Sequence, residues 1–135
     1  MITVVTGPPC AGKSTYVSEM AEPGDIVVDM DLIAAALTVT DDIHVYSNEV
    51  RAVARDARRA AVASAMRVAA NGVRLNVWIV HTDPSAEWLR RYRVAGARVK
   101  NINPGRDVCL SRLAERAKSE QVRTKRVIDE YFRER

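Results

Sequence analysis

Short apolar runs alternate with longer segments of helical periodicity along the whole chain. The apolar runs at 2–6, 26–29, 74–80 and 97–102 are rich in Val and Ile and are bounded by turn residues, so they predict four β-strands. Between them, apolar residues recur at helical spacing, most clearly over 49–71. Strands that alternate with helices predict an α/β fold with a parallel sheet and helices on both faces.

Helices are predicted over 14–20, 32–37, 49–71, 85–94, 107–118 and 120–135. The longest has a predicted buried face that includes Val53 and Ser64, whose hydroxyl can bond back to a carbonyl one turn earlier. Another face of this helix has a stripe of arginines, namely Arg51, Arg55, Arg58 and Arg59. The stripe is either a solvated surface or, because the helix begins beside an expected substrate loop, a contact for phosphate.

The bulk properties restrict the class of protein. The chain has 135 residues, which is enough for one domain with its own core and too few for two, so we expect a single domain over 1–135. No apolar run approaches the roughly 20 residues that cross a bilayer, and Met1 leads directly into a strand, so neither a membrane span nor a signal peptide is expected. Cys10 and Cys109 are too few for a disulfide framework and indicate a reducing cytoplasm.

The charge is basic, with a net value of +4 and an excess of arginine. Of the 21 basic residues, all but four are arginines. Since the guanidinium group binds phosphate through two parallel hydrogen bonds, this balance favours a phosphate-rich partner. A coding bias towards arginine would give the same composition.

A phosphate-binding motif follows the first strand directly. The segment is Gly7-Pro8-Pro9-Cys10-Ala11-Gly12-Lys13-Ser14-Thr15, which fits the Walker A pattern G-x-x-x-x-G-K-[ST]. Gly7 and Gly12 let the backbone turn its N–H groups towards phosphate oxygens, and the helix beginning near Lys13 adds the positive end of its dipole. We expect Lys13 to reach the β and γ phosphates of ATP and Ser14 to coordinate Mg²⁺. The alternative, a glycine-rich turn with a chance lysine, leaves the agreement of strand, motif and helix unexplained.

Two carboxylates, Asp29 and Asp31, follow the second strand. Ligands of open α/β sheets gather at the carboxyl ends of the strands, so this pair is a candidate for general-base or metal chemistry. We assign Asp29 to Mg²⁺ together with Ser14, and Asp31 to the substrate. The alternative for Asp31 is to cap the helix that begins at Leu32. Asp83 also follows a strand, as a Walker-B-type carboxylate would. The sequence Asp83-Pro84-Ser85 is typical of a helix start, however, so we favour a capping role for Asp83.

The acceptor side is expected near the polar segment 38–48, which we interpret as a mobile loop. It contains His44, which is either a surface residue or a substrate contact. Arg55 and Arg58 are the predicted contacts for a substrate phosphate. His81, at the end of the third strand, is a minor candidate.

These residues together resemble the small P-loop kinases of the polynucleotide kinase and zeta toxin type, whose short phage and bacterial members are often labelled AAA-family ATPases. The resemblance extends over nearly the whole chain. It implies a P-loop NTPase fold of three α/β/α layers, a four-stranded parallel sheet in the order 2-3-1-4 and a C-terminal helical lid. Asp31 matches the aspartate that activates the hydroxyl group in these kinases. Arg112 and Arg116, within 104–116, match the lid arginines that close over the ATP phosphates.

The resemblance implies transfer of the γ-phosphate of ATP, with Mg²⁺, to a hydroxyl of a nucleic-acid 5′ end or of a nucleoside or nucleotide. In polynucleotide kinase one arginine precedes the catalytic aspartate and another follows it. Met30 and Ala34 occupy those positions here, which argues against nucleic-acid ends as the substrate but leaves the kinase assignment intact. The alternatives are a kinase for a sugar nucleotide or an antibiotic, and a nucleotide-binding regulatory protein without an acceptor. Because no Walker B aspartate is followed by glutamate, AAA motor activity is not expected.

Overall fold

A computed structural model describes residues 1–135, and its sheet has the predicted topology. The strands are β1 (Ile2–Thr6), β2 (Ile26–Val28), β3 (Val77–Val80) and β4 (Arg98–Asn101). They are parallel and lie in the order β2-β3-β1-β4, which confirms the predicted fold class and strand order. β3 begins three residues later than predicted, and its Trp78 is buried, as expected.

All six predicted helices are present, with shifted ends. They are α1 (Lys13–Met20), α2 (Met30–Ala36), α3 (Asn48–Ala70), α4 (Ala86–Val94), α5 (Arg106–Leu113) and α6 (Lys118–Arg133). The largest shift is in α5, which ends at Leu113 instead of continuing to 118. None of the helices combines the length and the apolar content that a membrane span requires.

The strand β1 is central in the sheet and separates two apolar layers. Successive side chains of a strand point to opposite faces, so Val4 and Val5 face different helices. Val4 belongs to a cluster with Val62 of α3 and Tyr92 of α4. Val5 packs with Val17 of α1 on the other face. Helices therefore cover both faces of the sheet and hold the carboxyl ends of its strands in place.

The buried face of α3 differs in part from the predicted one. Ala54, Val62 and Ala65 are buried, whereas Val53 is 57% exposed and Ser64 also faces solvent. The prediction was wrong for Val53 and Ser64 because Ala and Val occur all round this helix, so its apolar pattern has little contrast between faces. The orientation of α3 decides which of its arginines reach the site.

The helices α5 and α6 pack on each other and on the phosphate loop. Their shared cluster consists of Cys10, Ala11, Cys109, Leu113 and Ile128. Both cysteines are free thiols, and burial raises the pKa of each. The loop is therefore held between the sheet on one side and these two helices on the other.

The helix α4 is capped by Ser85 and not by Asp83. The Ser85 hydroxyl accepts a hydrogen bond from the Trp88 amide at 3.2 Å. Asp83 instead accepts from the Arg135 guanidinium at 2.6 Å. The predicted cap was wrong because a side chain at Ser85, directly before the first helical residue, reaches the open amides of the first turn.

Candidate active site

The phosphate loop between β1 and α1 has a backbone that requires glycine at both ends. Gly7 has φ +140°, and a Cβ atom there would lie 1.9 Å from the Ile102 carbonyl oxygen. Gly12 has φ +96° and precedes α1 without any side-chain cap. The first amides of α1 are therefore left open at the positive end of the helix dipole, which is the arrangement that binds anions.

Lys13 is almost completely buried in this loop, at 7% exposure. Its ammonium group donates a hydrogen bond to the Pro8 carbonyl at 2.6 Å. Burial lowers the pKa of Lys13 to about 8, because removal from water disfavours the charged form. Phosphate oxygens beside the ammonium would favour the charged form again, so the geometry suits an anionic ligand.

Ser14 and Asp29 lie side by side next to the loop. The Ser14 hydroxyl donates to the Asp29 carboxylate at 2.5 Å, and Asp29 is 4% exposed. Together they offer Mg²⁺ one hydroxyl ligand and one carboxylate ligand. No group of three His, Cys, Asp or Glu side chains that could hold a metal ion is present, so the other ligands of Mg²⁺ would be phosphate oxygens and water. Asp29 also caps α2 by accepting from the Asp31 amide at 3.0 Å. The capping role that we considered for Asp31 therefore belongs to Asp29.

The Asp31 carboxylate is held by two side chains from the segment between α2 and α3. Tyr46 donates its hydroxyl hydrogen to Oδ1 at 2.8 Å, and His44 Nδ1 lies 3.2 Å from Oδ2. Burial and the charge of Asp31 hold the pKa of Tyr46 well above its usual range, so it stays a donor. The Arg51 guanidinium stacks on the Tyr46 ring at 4.5 Å from its centroid. The structure thus brings His44 to Asp31, as predicted, and adds Tyr46 and Arg51.

A cavity of about 700 Å³ joins the loop to this network. Its polar lining includes Lys13, Ser14, Thr15, Asp29, Asp31, His44, Tyr46, Arg51, Arg58, His81, Arg116 and Arg123. Within the motif, Pro9 to Thr15 line the cavity, whereas Gly7 and Pro8 lie behind it. An adjoining cavity of about 550 Å³ shares the loop and extends towards Tyr16 and Ile102. The loop therefore has one open space on the β2 and β3 side and another on the β4 side.

The arginines of α3 do not all reach the cavity. Arg51 and Arg58 line it, and Arg58 also donates to the Val80 carbonyl at 3.0 Å. Arg55 is exposed and is not part of the lining, so the structure does not bring it to the predicted substrate site. Seven residues are close to two full turns of helix, which aligns Arg51 with Arg58, whereas Arg55 lies about 40° to one side.

The two predicted lid arginines both lie beside the loop. Arg112 donates to the Cys10 carbonyl at 3.1 Å and lines only the smaller cavity. Arg116 lines both cavities. Arg123 of α6, which the sequence analysis missed, lines the larger one. The only available signal for Arg123 was its position on the amphipathic helix α6, which does not distinguish it from the other basic residues there.

Comparison with known proteins agrees with this geometry. Residues 2–134 match the family model AAA_33, which is described as an AAA domain. No curated protein matches the chain at a significant level. The family supports nucleotide binding with a kinase or ATPase activity of the P-loop type, and it specifies no acceptor. With its phosphate loop, its 2-3-1-4 sheet and a match over nearly its whole length, the chain belongs to this AAA domain family of P-loop NTPases.

Proposed function

We propose that the protein is an ATP-dependent kinase of polynucleotide kinase type, with one kinase domain over 1–135. It transfers the γ-phosphate to a hydroxyl of a nucleic-acid 5′ end, a nucleoside or a nucleotide. The observation that supports this most is that the Asp31 carboxylate lines the same cavity as Lys13 and the open end of α1. A protein that only binds a nucleotide has no need of an oriented carboxylate beside its phosphate loop.

The donor half of the reaction is assigned to the loop and to the C-terminal helices. Lys13 and the first amides of α1 hold the β and γ phosphates, and the smaller cavity accepts the nucleoside. Arg116, which lies beside the loop, stabilises the charge on the transferring group, and Arg112 supports it from the smaller cavity. Ser14 and Asp29 hold Mg²⁺, which when bound neutralises phosphate charge.

The acceptor half is assigned to Asp31 and its partners. Asp31 accepts a hydrogen bond from the acceptor hydroxyl and takes its proton as the new oxygen–phosphorus bond forms and the bond from the γ-phosphorus to the β,γ-bridging oxygen breaks, which releases ADP. His44 and Tyr46 hold the carboxylate in one orientation, which favours attack in line with the leaving group. Arg55 remains a predicted contact for parts of a larger acceptor that extend beyond the cavity.

The charge of the cavity favours an acceptor that contains phosphate. Arg51, Arg58 and Arg123 line it, and none of them forms an ion pair with a carboxylate. Unpaired guanidinium groups suit a nucleotide or a sugar nucleotide better than an uncharged antibiotic. The buried free thiols are consistent with a cytoplasmic location, which we include in the proposal.

The proposal is tested by comparing wild type, Asp31→Asn and the exposed-loop control Asp41→Asn. Transfer from γ-labelled ATP is measured to nucleosides, nucleotides, 5′-hydroxyl oligonucleotides, sugar nucleotides and antibiotics. We expect Asp31→Asn to bind ATP as wild type does and to lose about 10²–10⁴-fold in transfer rate, because the proton has no acceptor. Normal transfer by Asp31→Asn would contradict the base assignment. ATP binding without transfer or hydrolysis in the wild type would support the regulatory alternative.

A further inference from the structure

His81 is a titratable side chain at the cavity that the proposed reaction does not use. It follows β3 directly, and its backbone amide donates to the Val5 carbonyl at 3.0 Å. Since Val28 pairs with Ile79, the segments after β2 and β3 leave the sheet at the same level. His81 therefore lies at the edge of the sheet where Asp31 and the phosphate loop also lie, and it lines the same cavity.

The imidazole ring of His81 is held on several sides. Its Nδ1 atom lies 2.8 Å from the Tyr92 hydroxyl oxygen. The rings of Trp88 and Tyr92 both meet it edge to face, with centroid distances of 5.8 Å. These contacts leave the ring a single orientation, in contrast to an exposed histidine that samples several rotamers.

The hydrogen bond to Tyr92 determines the tautomer of His81. Tyr92 is completely buried, and burial raises the pKa of its hydroxyl, which therefore keeps its hydrogen. His81 Nδ1 is the one hydrogen-bond partner that the Tyr92 hydroxyl has within the protein. The Tyr92 hydrogen is therefore directed at His81 Nδ1, the acceptor within reach. If Nδ1 accepts, the neutral ring has its hydrogen on Nε2.

The Nε2 atom of His81 is open to solvent, and His81 lines the cavity. Nε2 forms no hydrogen bond within the protein, and it is not among the buried polar atoms that lack a partner. Burial, with the nearby charge of Arg58, lowers the pKa of His81 to about 4, so the ring is neutral near neutral pH. The cavity thus contains a rigid, uncharged N–H donor beside the Arg58 guanidinium.

We propose that His81 is a specificity-determining residue whose Nε2–H group, together with Arg58, binds a phosphoryl or carbonyl oxygen of the acceptor. This inference rests on the proposed function and extends it to the class of acceptor. A neutral N–H donor orients the acceptor through a directional hydrogen bond. It adds no charge to a cavity that already contains several arginines. An acceptor that lacks such an oxygen leaves this N–H unpaired when the site is desolvated, and it is therefore disfavoured.

The tautomer is tested first by the imidazole nitrogen chemical shifts of the wild type and of Tyr92→Phe near neutral pH. We expect the neutral Nε2–H form in the wild type and a mixture of tautomers in Tyr92→Phe, because the hydroxyl that selects the form has been removed. An Nδ1–H tautomer or an imidazolium ring in the wild type would overturn the inference.

The role in binding is tested with His81→Phe, which keeps the ring shape, and His81→Gln, which keeps a donor. We expect the acceptor KM to rise about ten-fold in His81→Phe and to recover largely in His81→Gln, with kcat and ATP affinity unchanged within about two-fold. Inorganic phosphate and uridine are then tested as competitors of the acceptor. Loss of competition by phosphate in His81→Phe identifies a phosphoryl oxygen as the bound group, and loss of competition by uridine identifies a carbonyl oxygen.

The possible failures are distinguishable. An unchanged acceptor KM in His81→Phe, with an active wild type, overturns this inference and leaves the proposed function intact. A wild type that phosphorylates none of the acceptors overturns the proposed function, and this inference with it.

Discussion

The two halves of the proposed site are built in different ways. The phosphate-binding part of the half that faces the donor is the single segment 7–15, together with the end of α1 that it forms, and Asp29, Arg112 and Arg116 are added to it from other parts of the chain. The half that faces the acceptor is assembled from separate parts of the chain, namely Asp31 of α2, His44 and Tyr46 before α3, Arg51 and Arg58 on α3, His81 after β3 and Arg123 on α6. The first half depends on local backbone geometry, and the second depends on how elements pack.

This difference explains which predictions were accurate. The loop geometry follows from glycine at 7 and 12 and from the strand and helix that flank it, all of which are local. The acceptor half depends on the rotation of α3 and on the register of β3, to which residues far apart in the chain contribute. A contiguous sequence motif therefore predicts the residues of a site more accurately than a row of basic side chains along one face of a helix.

A large effect is expected from Lys13→Ala, which breaks the donor half alone. Removing a buried ammonium beside the phosphates should weaken ATP binding or the rate by about 10²–10³-fold, since one such donor in a water-excluded site has an effect of that size. Calorimetric titration with ATP measures the affinity, and Lys118→Ala, an exposed lysine at the start of α6, is the control. ATP binding at wild-type affinity together with transfer at the wild-type rate would show that the loop is not the phosphate site.

The backbone of the same loop is tested by Gly7→Ala against Gly24→Ala. Both glycines have positive φ, but a Cβ atom meets the Ile102 carbonyl only at Gly7, whereas at Gly24 nothing lies within 4 Å. We expect the free energy of unfolding to fall by about 4 kcal/mol in Gly7→Ala and by about 1 kcal/mol in Gly24→Ala. Denaturant unfolding measures both, and equal losses would contradict the close approach.

The acceptor half is tested by Arg51→Ala against Arg55→Ala. These residues are one turn apart, but only Arg51 lines the cavity, where it stacks on Tyr46. We expect the acceptor KM to rise about ten-fold in Arg51→Ala and less than about two-fold in Arg55→Ala. A larger rise in the acceptor KM for Arg55→Ala than for Arg51→Ala would support the Arg55 contact predicted from the sequence and contradict the orientation of α3 in the structure.

A further effect is the pH dependence of stability due to His81. Its pKa is about 4 in the folded protein and 6.5 as a free side chain, so the unfolded chain binds the proton more tightly. Stability is therefore fully present above pH 6.5 and is lost as pH falls towards 4. The loss is about 2 kcal/mol, after allowance for partial exposure of the ring. Unfolding midpoints over this pH range measure it, and His81→Gln should remove the dependence; an unchanged profile would contradict the burial of the ring.

The chain by itself determined the four strands, the six helices and the phosphate motif. These features depend on interactions over a few residues, such as β-branched runs, caps and glycine conformations. The motif further indicated nucleotide binding, and the resemblance added the P-loop family and the strand order that the structure confirms. Local errors remained at the helix caps, where two neighbouring polar residues could serve. Asp29 caps α2 instead of Asp31, and Ser85 caps α4 instead of Asp83.

Only the tertiary structure decided which side chains meet at the acceptor side. Tyr46 and His44 reach Asp31 because the segment before α3 folds back over α2, and Arg123 enters because α6 packs beside the loop. Tyr92 is distant from the motif in sequence, but its hydroxyl lies 2.8 Å from His81 Nδ1 beside the cavity. Such contacts depend on the packing of whole elements, whose rotation and register are determined by the core and not by the residues that form the site.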